Sequence, residues 1–170
     1  KIFKRKIKSY DNINDITIVG LSRWINNCSK DSFLLKNKKH INLPNLINTS
    51  VYKRIDKEIS KKIWNLPNNK KLILFGAVSA ISDINKGYKE LLKALNQLNI
   101  VNIEIVVFGS SEPKEKDYFK YHVNYLGHLH DDISLVTLYN AVDVMVVPSL
   151  QENLSNAIME SLSCGTPVVA

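Results

Sequence analysis

Two glutamates carry the densest chemical signal in this sequence. Glu152 stands in a short loop, Pro148-Ser149-Leu150-Gln151-Glu152-Asn153-Leu154-Ser155, and Glu160 follows inside a helical stretch that ends near Gly165. A Gly165-Thr166-Pro167 turn then leads into an apolar Val168-Val169-Ala170 run. The first turn of a helix has N–H groups without intrahelical partners, and the helix dipole adds to their pull on an anion. A carboxylate in that same loop does not belong beside a phosphate. It suits sugar hydroxyls, which donate hydrogen bonds to it. The second carboxylate, further along the helix, suits another vicinal diol such as a ribose. An anion cradle flanked by two diol clamps describes a nucleotide sugar.

Such a loop needs a scaffold, and the second half of the chain supplies one. Leu72 to Phe75, Ile103 to Phe108, Val123 to Leu126 and Asp143 to Val147 are short apolar runs, closed by Gly76, Gly109, Gly127 and Pro148. Between them lie helical patterns: Tyr88, Leu91, Leu92, Leu95 and Leu98, then Ile133, Val136, Leu138 and Tyr139 behind Asp131 and Asp132, then Ala157 to Leu162. Unbroken apolar strands alternating with helices predict an α/β fold, a Rossmann-like doubly wound parallel sheet covered on both faces. Ligands in such sheets sit beyond the carboxyl ends of the strands. The loops after Gly76, Gly109, Gly127 and Pro148 are therefore the places to look.

The first half is less regular. Ile16 to Val19 reads as a strand, Leu21 to Cys28 as a helix with Ser22 near its start, and His40 to Leu43 as an extended run. Asn45 to Ser50 reads as a linker, and Ile55, Ile59 and Ile63 recur at helical spacing. Residues 1–48 are read as the end of one domain with its linker, and 49–170 as most of a second. Charge divides similarly. Residues 1–71 carry 17 Lys/Arg against 5 Asp/Glu, whereas residues 72–170 carry 6 against 11.

At 45% hydrophobic and 23% charged, the 170 residues exclude a disordered tail, a collagen-like fibre and a disulfide scaffold. No apolar run reaches the roughly 18 residues of a membrane span. Cys28 and Cys164 lack metal-type spacing and are read as reduced thiols of a cytoplasmic protein. The basic first half leaves open a reading of another class: a non-catalytic module that binds an anionic membrane or nucleic acid. Its aromatic residues do not interleave with the lysines as base stacking requires, which argues against nucleic acid. Contact with the inner face of a membrane remains as an accessory role.

The stretch from Pro148 to Ala170 resembles the Glu-x7-Glu motif of the retaining glycosyltransferases, in particular glycosyltransferase family 4 with the GT-B fold. Glu152 and Glu160 have the required seven residues between them, and Cys164-Gly165-Thr166-Pro167-Val168-Val169 is also typical. Leu43-Pro44-Asn45 with Asn48-Thr49 resembles the passage between that family's two domains. Lys86-Gly87 resembles its phosphate-binding pair, and Tyr125-Leu126-Gly127-His128 its base-contacting loop. Residues 1–48 would then close the acceptor-side domain and 49–170 form the donor domain, incomplete at both ends and inactive alone.

The resemblance implies roles. Glu152 holds hydroxyls of the transferred sugar, and the amides of Asn153, Leu154 and Ser155 meet the sugar and distal phosphate. Glu160 grips the ribose, Lys86 neutralises the diphosphate, and backbone at His128 and Leu129 touches the base. Glu152 and Lys86 are the catalytic pair. It also implies transfer of a hexosyl group to a glycan or lipid-linked acceptor in polysaccharide or glycoconjugate assembly. No essential metal and no cofactor beyond the donor are expected. The family's arginine after the first strand's glycine is missing: Gly76 is followed by Ala77-Val78, so backbone donors of the Gly76–Ala77 turn would have to help. A sugar phosphorylase or nucleotide-sugar epimerase of the same fold is the nearest alternative. Competing readings are an exposed helix residue for Glu160 and a solvated loop lysine for Lys86.

Overall fold

The computed structural model describes residues 2–13, 15–76, 83–112 and 120–170, which form two compact units, Lys1–Leu46 and Ile47–Ala170. The first unit contains α1 (Ile2–Asp11), β1 (Thr17–Gly20), α2 (Arg23–Asp31) and β2 (Lys39–Asn42). β1 and β2 pair in parallel, Thr17 opposite Lys39. Ser22 caps α2, its hydroxyl accepting from the Ile25 amide. The sequence reading assigns no element to α1, and none of its residues is buried.

The second unit contains α3 (Lys57–Ile63), β3 (Lys71–Gly76), a 3-10 turn (Ile84–Lys86) and α4 (Tyr88–Gln97). It continues through β4 (Ile103–Phe108), β5 (Val123–Tyr125), α5 (Asp132–Ala141), β6 (Val144–Val146), α6 (Asn156–Ser163) and β7 (Val168–Val169). Its five strands are parallel in the order β5-β4-β3-β6-β7. The expected doubly wound sheet is therefore present, each strand within a residue or two of its apolar run.

Alternation along the strands builds two cores. Leu72, Leu74, Val106 and Phe108 face one side, with Leu138, Tyr139 and Cys164. Phe75, Ile105 and Val107 face the other, with Tyr88, Leu91 and Leu95 of α4. A side-chain period of two explains why neighbouring residues of one apolar run serve opposite cores.

Strand order also fixes where a ligand can lie. The chain runs outward from β3 through β4 to β5, then returns to place β6 on the other side of β3. The direction of winding reverses between β3 and β6, and a crevice opens there at the carboxyl ends. Gly76 closes β3 because nothing larger fits: a Cβ there would lie 2.2 Å from the Phe108 ring.

Candidate functional site

Two loops meet at that reversal. The turn Ile84–Lys86 lies against the loop after β6, and the Leu150 amide donates to the Asn85 carbonyl at 2.9 Å. Gly87 makes this approach feasible. Its φ of +69° favours glycine, and a Cβ would fall 1.9 Å from the Pro148 carbonyl oxygen. Asp83 caps the turn, its carboxylate accepting from the Asn85 amide.

The junction brings Lys86 and Glu152 together. The Lys86 ammonium donates to Glu152 Oε1 at 2.6 Å, with the two side chains 26% and 29% exposed. The Ser149 hydroxyl donates to the same oxygen at 3.0 Å. An exposed ion pair contributes about 0.2–1 kcal/mol, whereas breaking a buried one costs about 3–5 kcal/mol. Lys86–Glu152 lies between these limits, so a multiply charged oxyanion can compete for the lysine.

Gly76, Lys86, Ser149, Glu152, Ser155 and Ala157 line one hollow of about 30 Å³. That volume holds a water or two, far below the ~300–1,000 Å³ of a ligand pocket. A large ligand would lie over its mouth rather than inside it. The two helices that begin beside it lack side-chain caps. α4 starts from Gly87, which has no side chain, and the Ser155 hydroxyl makes no capping bond to α6. By contrast, Ser22, Asp56 and Asp131 each cap their helices. A helix start favours an anion through its dipole and its N–H groups.

Glu160 is placed differently. The sequence reading has both acids flanking one donor; Glu152 lines the small hollow and Glu160 does not. α6 carries it five residues beyond Ser155, about 7.5 Å along the helix axis. It is half-buried, and the Tyr139 hydroxyl donates to its Oε2 at 2.8 Å. Burial raises its carboxyl above the ordinary range; the Tyr139 bond opposes this, and the nearby Asp132 charge adds to it. Glu160 is thus neither an exposed helix residue nor part of the Lys86–Glu152 junction.

Tyr139 is fully buried, and burial followed by the Glu160 charge pushes its hydroxyl far above the ordinary value. Below it, burial and the Glu160 charge raise the Cys164 thiol to about 11, as suits a core residue. Tyr139 and Ser149 are the site residues sequence reasoning missed as polar partners. Tyr139 had looked like part of an apolar stripe. The serine three positions before Glu152 was the only local signal for Ser149.

The remaining expected residues are spread out. Asn153 is exposed and Leu154 half-buried, and neither lines the hollow. His128 is exposed and stacks on His130 at 6.2 Å, while Leu129 packs against the core. Their loop is fixed by Gly127, whose carbonyl accepts from the Gly109 amide at 2.7 Å. Ala77 lies outside the described residues. Arg54, the sole arginine of residues 47–170, lies near Gly165 and does not replace the missing arginine at the junction. Among the described residues no group of three or more His, Cys, Asp or Glu could hold a metal. No helix among them is long and apolar enough to cross a membrane.

The family model of the glycosyl transferases group 1 matches residues 70–170, the whole span from β3 to β7. The chain belongs to that family. A glycogen synthase of Streptococcus uberis is 25% identical over 169 residues, covering 95% of this chain and 35% of that protein. Among solved structures, a sucrose-phosphate synthase from Thermosynechococcus elongatus superposes with a TM-score of 0.75 at 21% identity, covering 98% of this chain and 43% of that one. Anabaena HepE, in complex with UDP and glucose, superposes with a TM-score of 0.66 at 22% identity, covering 91% and 44%. These likenesses identify this glycosyl transferase chain's fold as GT-B. It spans about a third of the curated relatives it matches.

Proposed function

We propose that this chain provides the donor side of a retaining glycosyltransferase of family 4, which moves a hexosyl group from a nucleoside diphosphate sugar to a glycan or lipid-linked acceptor. The observation that carries this reading is the Lys86–Glu152 contact at the winding reversal. It places a cation, a hydroxyl-accepting carboxylate and a helix start around one mouth.

In this reading the distal phosphate lies between Lys86 and the start of α6. It draws the ammonium away from Glu152, which then accepts hydrogen bonds from hydroxyls of the sugar. Amides of Asn153, Leu154 and Ser155 meet the sugar and phosphate, with Gly76 beneath. Glu160, steadied by Tyr139, takes the ribose, and backbone at His128 and Leu129 takes the base. As the anomeric bond breaks, negative charge builds on the departing diphosphate. Lys86 and the helix start stabilise it, a contribution on the order of 10²–10³ in rate. The chain's own cation and amides serve this purpose, so we propose that no metal is required.

The complex of HepE with UDP and glucose supports a nucleotide-sugar donor. The basic residues of 1–71 suit an anionic membrane surface that presents a lipid-linked acceptor, an accessory contact on the cytoplasmic face. Calorimetric titration of the full-length protein with UDP-, GDP- and ADP-sugars tests the donor assignment. One of the three should bind, and Lys86→Ala and Glu160→Ala should each weaken it at least about tenfold. Unchanged binding in both variants overturns the site. A product whose anomeric configuration is inverted overturns the retaining assignment.

A further inference from the structure

The opposite end of the sheet holds a much larger hollow of about 680 Å³. Lys57, Lys61, Lys70 and Lys71 line it, together with the amides Asn68, Asn69 and Asn102 and the acids Glu58 and Asp143. It lies at the amino ends of β3 and β6, because Lys71 opens β3 and Asp143 precedes β6. Lys71, at its edge, stands five residue steps from Gly76 along β3, about 16 Å at 3.3 Å per residue. A second hollow of about 230 Å³, bordered by Arg54, shares Lys57 and Asp143 with it.

Two acids face four lysines, and one of the acids is shared between two of them. Asp143 already accepts from Lys57 at 2.9 Å, from Lys71 at 3.3 Å and from the Leu72 amide at 2.8 Å. Lys61 is the unusual member, at only 5% exposure. An ammonium has three donors. Among the described residues the hydrogen-bond acceptor of Lys61 is the Lys70 carbonyl, at a long 3.3 Å. Such a charge out of water requires compensation. Burial lowers its pKa, and the charges of Lys57 and Lys71 contribute, only partly offset by Asp143 and Glu58.

We propose that this hollow is a second binding site, separate from the donor site, for a ligand that carries a phosphoryl group. A tetrahedral oxyanion offers several acceptors to point charges such as Lys61 and Lys70. The volume falls within the ~300–1,000 Å³ of small-molecule sites, so the organic part of a phosphate ester has room beside the three asparagine amides. The phosphoryl group can belong to a soluble ester or to a lipid headgroup, because the same oxygens are recognised in either.

The test titrates the full chain, ¹⁵N-labelled, with inorganic phosphate, and separately with vesicles of phosphatidylglycerol in phosphatidylcholine. Phosphate should shift the amides of residues 68–71 and 102 in a saturable manner. Lys61→Met, an apolar near-isostere for a buried position, and Lys70→Gln, at a partly exposed one, should each weaken that response about tenfold. Vesicle retention that Lys70→Gln abolishes assigns a lipid headgroup. Saturation by phosphate without retention assigns a soluble ester. Shifts confined to residues near 76, 86 and 152–155, or folded variants that respond as the parent does, overturn the proposal. Lys86→Ala should leave the response at 68–71 unchanged, which separates this site from the donor reading.

Discussion

The two ends of the five-stranded sheet each hold a lysine–carboxylate contact, and they differ in how fully the carboxylate is satisfied. At the amino end Asp143 takes two lysines and a backbone amide. Its burial favours the neutral acid, but bonds from Lys57, the Leu72 amide and Lys71 outweigh that and hold its carboxyl below the ordinary range. At the carboxyl end Glu152 takes one lysine and one serine hydroxyl, both on Oε1. Asp143 fastens the entry to β3, where Leu72 is fully buried. Glu152 belongs to a junction of two loops that a ligand can rearrange. On the proposed function, similar groups serve stability at one end and exchange at the other.

The largest expected effect comes from breaking the exchangeable contact. Lys86→Ala in the full-length enzyme should lower the transfer rate on the order of 10²–10³-fold with a near-normal melting temperature, measured by steady-state kinetics and thermal denaturation. A large loss of stability would instead place Lys86–Glu152 in the class of Asp143.

Gly87→Ala separates loop geometry from charge. The new Cβ meets the Pro148 carbonyl in a backbone conformation of positive φ, a conformation that alone costs an L-residue about 1–2 kcal/mol. The junction should open, with donor affinity and urea stability falling together although no charge has changed.

Asp143→Ala should cost about 1–3 kcal/mol by leaving the Leu72 amide without its acceptor. The folded pKa is depressed, so Asp143's contribution is complete above the unfolded value of about 3.9 and is lost as pH falls through the folded one. Urea melts of parent and variant should therefore differ near neutrality and converge in acid.

Glu160→Gln should have the smallest stability effect, and the opposite sign. Burial raises the folded pKa, so stability is fullest below the unfolded value of about 4.3 and is lost as pH rises through the folded one. The glutamine carbonyl still accepts from Tyr139. The variant should melt slightly higher than the parent at pH 7, equal it in acid, and bind the donor less well. A variant less stable at pH 7 would contradict the assigned role of burial.

Most of this scaffold was legible because β3, β4 and β6 are predominantly apolar runs followed closely by glycine or proline, and the helices between them repeat apolar residues at helical spacing. Gly76 and Pro148 marked the ends of β3 and β6 correctly. What local pattern could not show was that these strands are neighbours, since strand order depends on crossovers. The Lys86–Glu152 contact spans 66 residues of sequence, and Tyr139–Glu160 depends on how α5 packs against α6, so neither appears in any window of periodicity. The same limit keeps the spatial relation of the two acids out of reach of the sequence. Seven intervening residues fix a spacing, but the turn at Ser155 decides which acid faces β3. α1 was missed for another reason: with no buried residue, its basic surface hid a weak apolar pattern.

The most direct measurement is a crystal structure of the full-length protein with a nucleoside diphosphate bound. The account predicts that the 2.6 Å contact between Lys86 and Glu152 opens and that the ammonium moves onto the distal phosphate at the start of α6. A diphosphate seated elsewhere, with Lys86 still paired to Glu152, would contradict it.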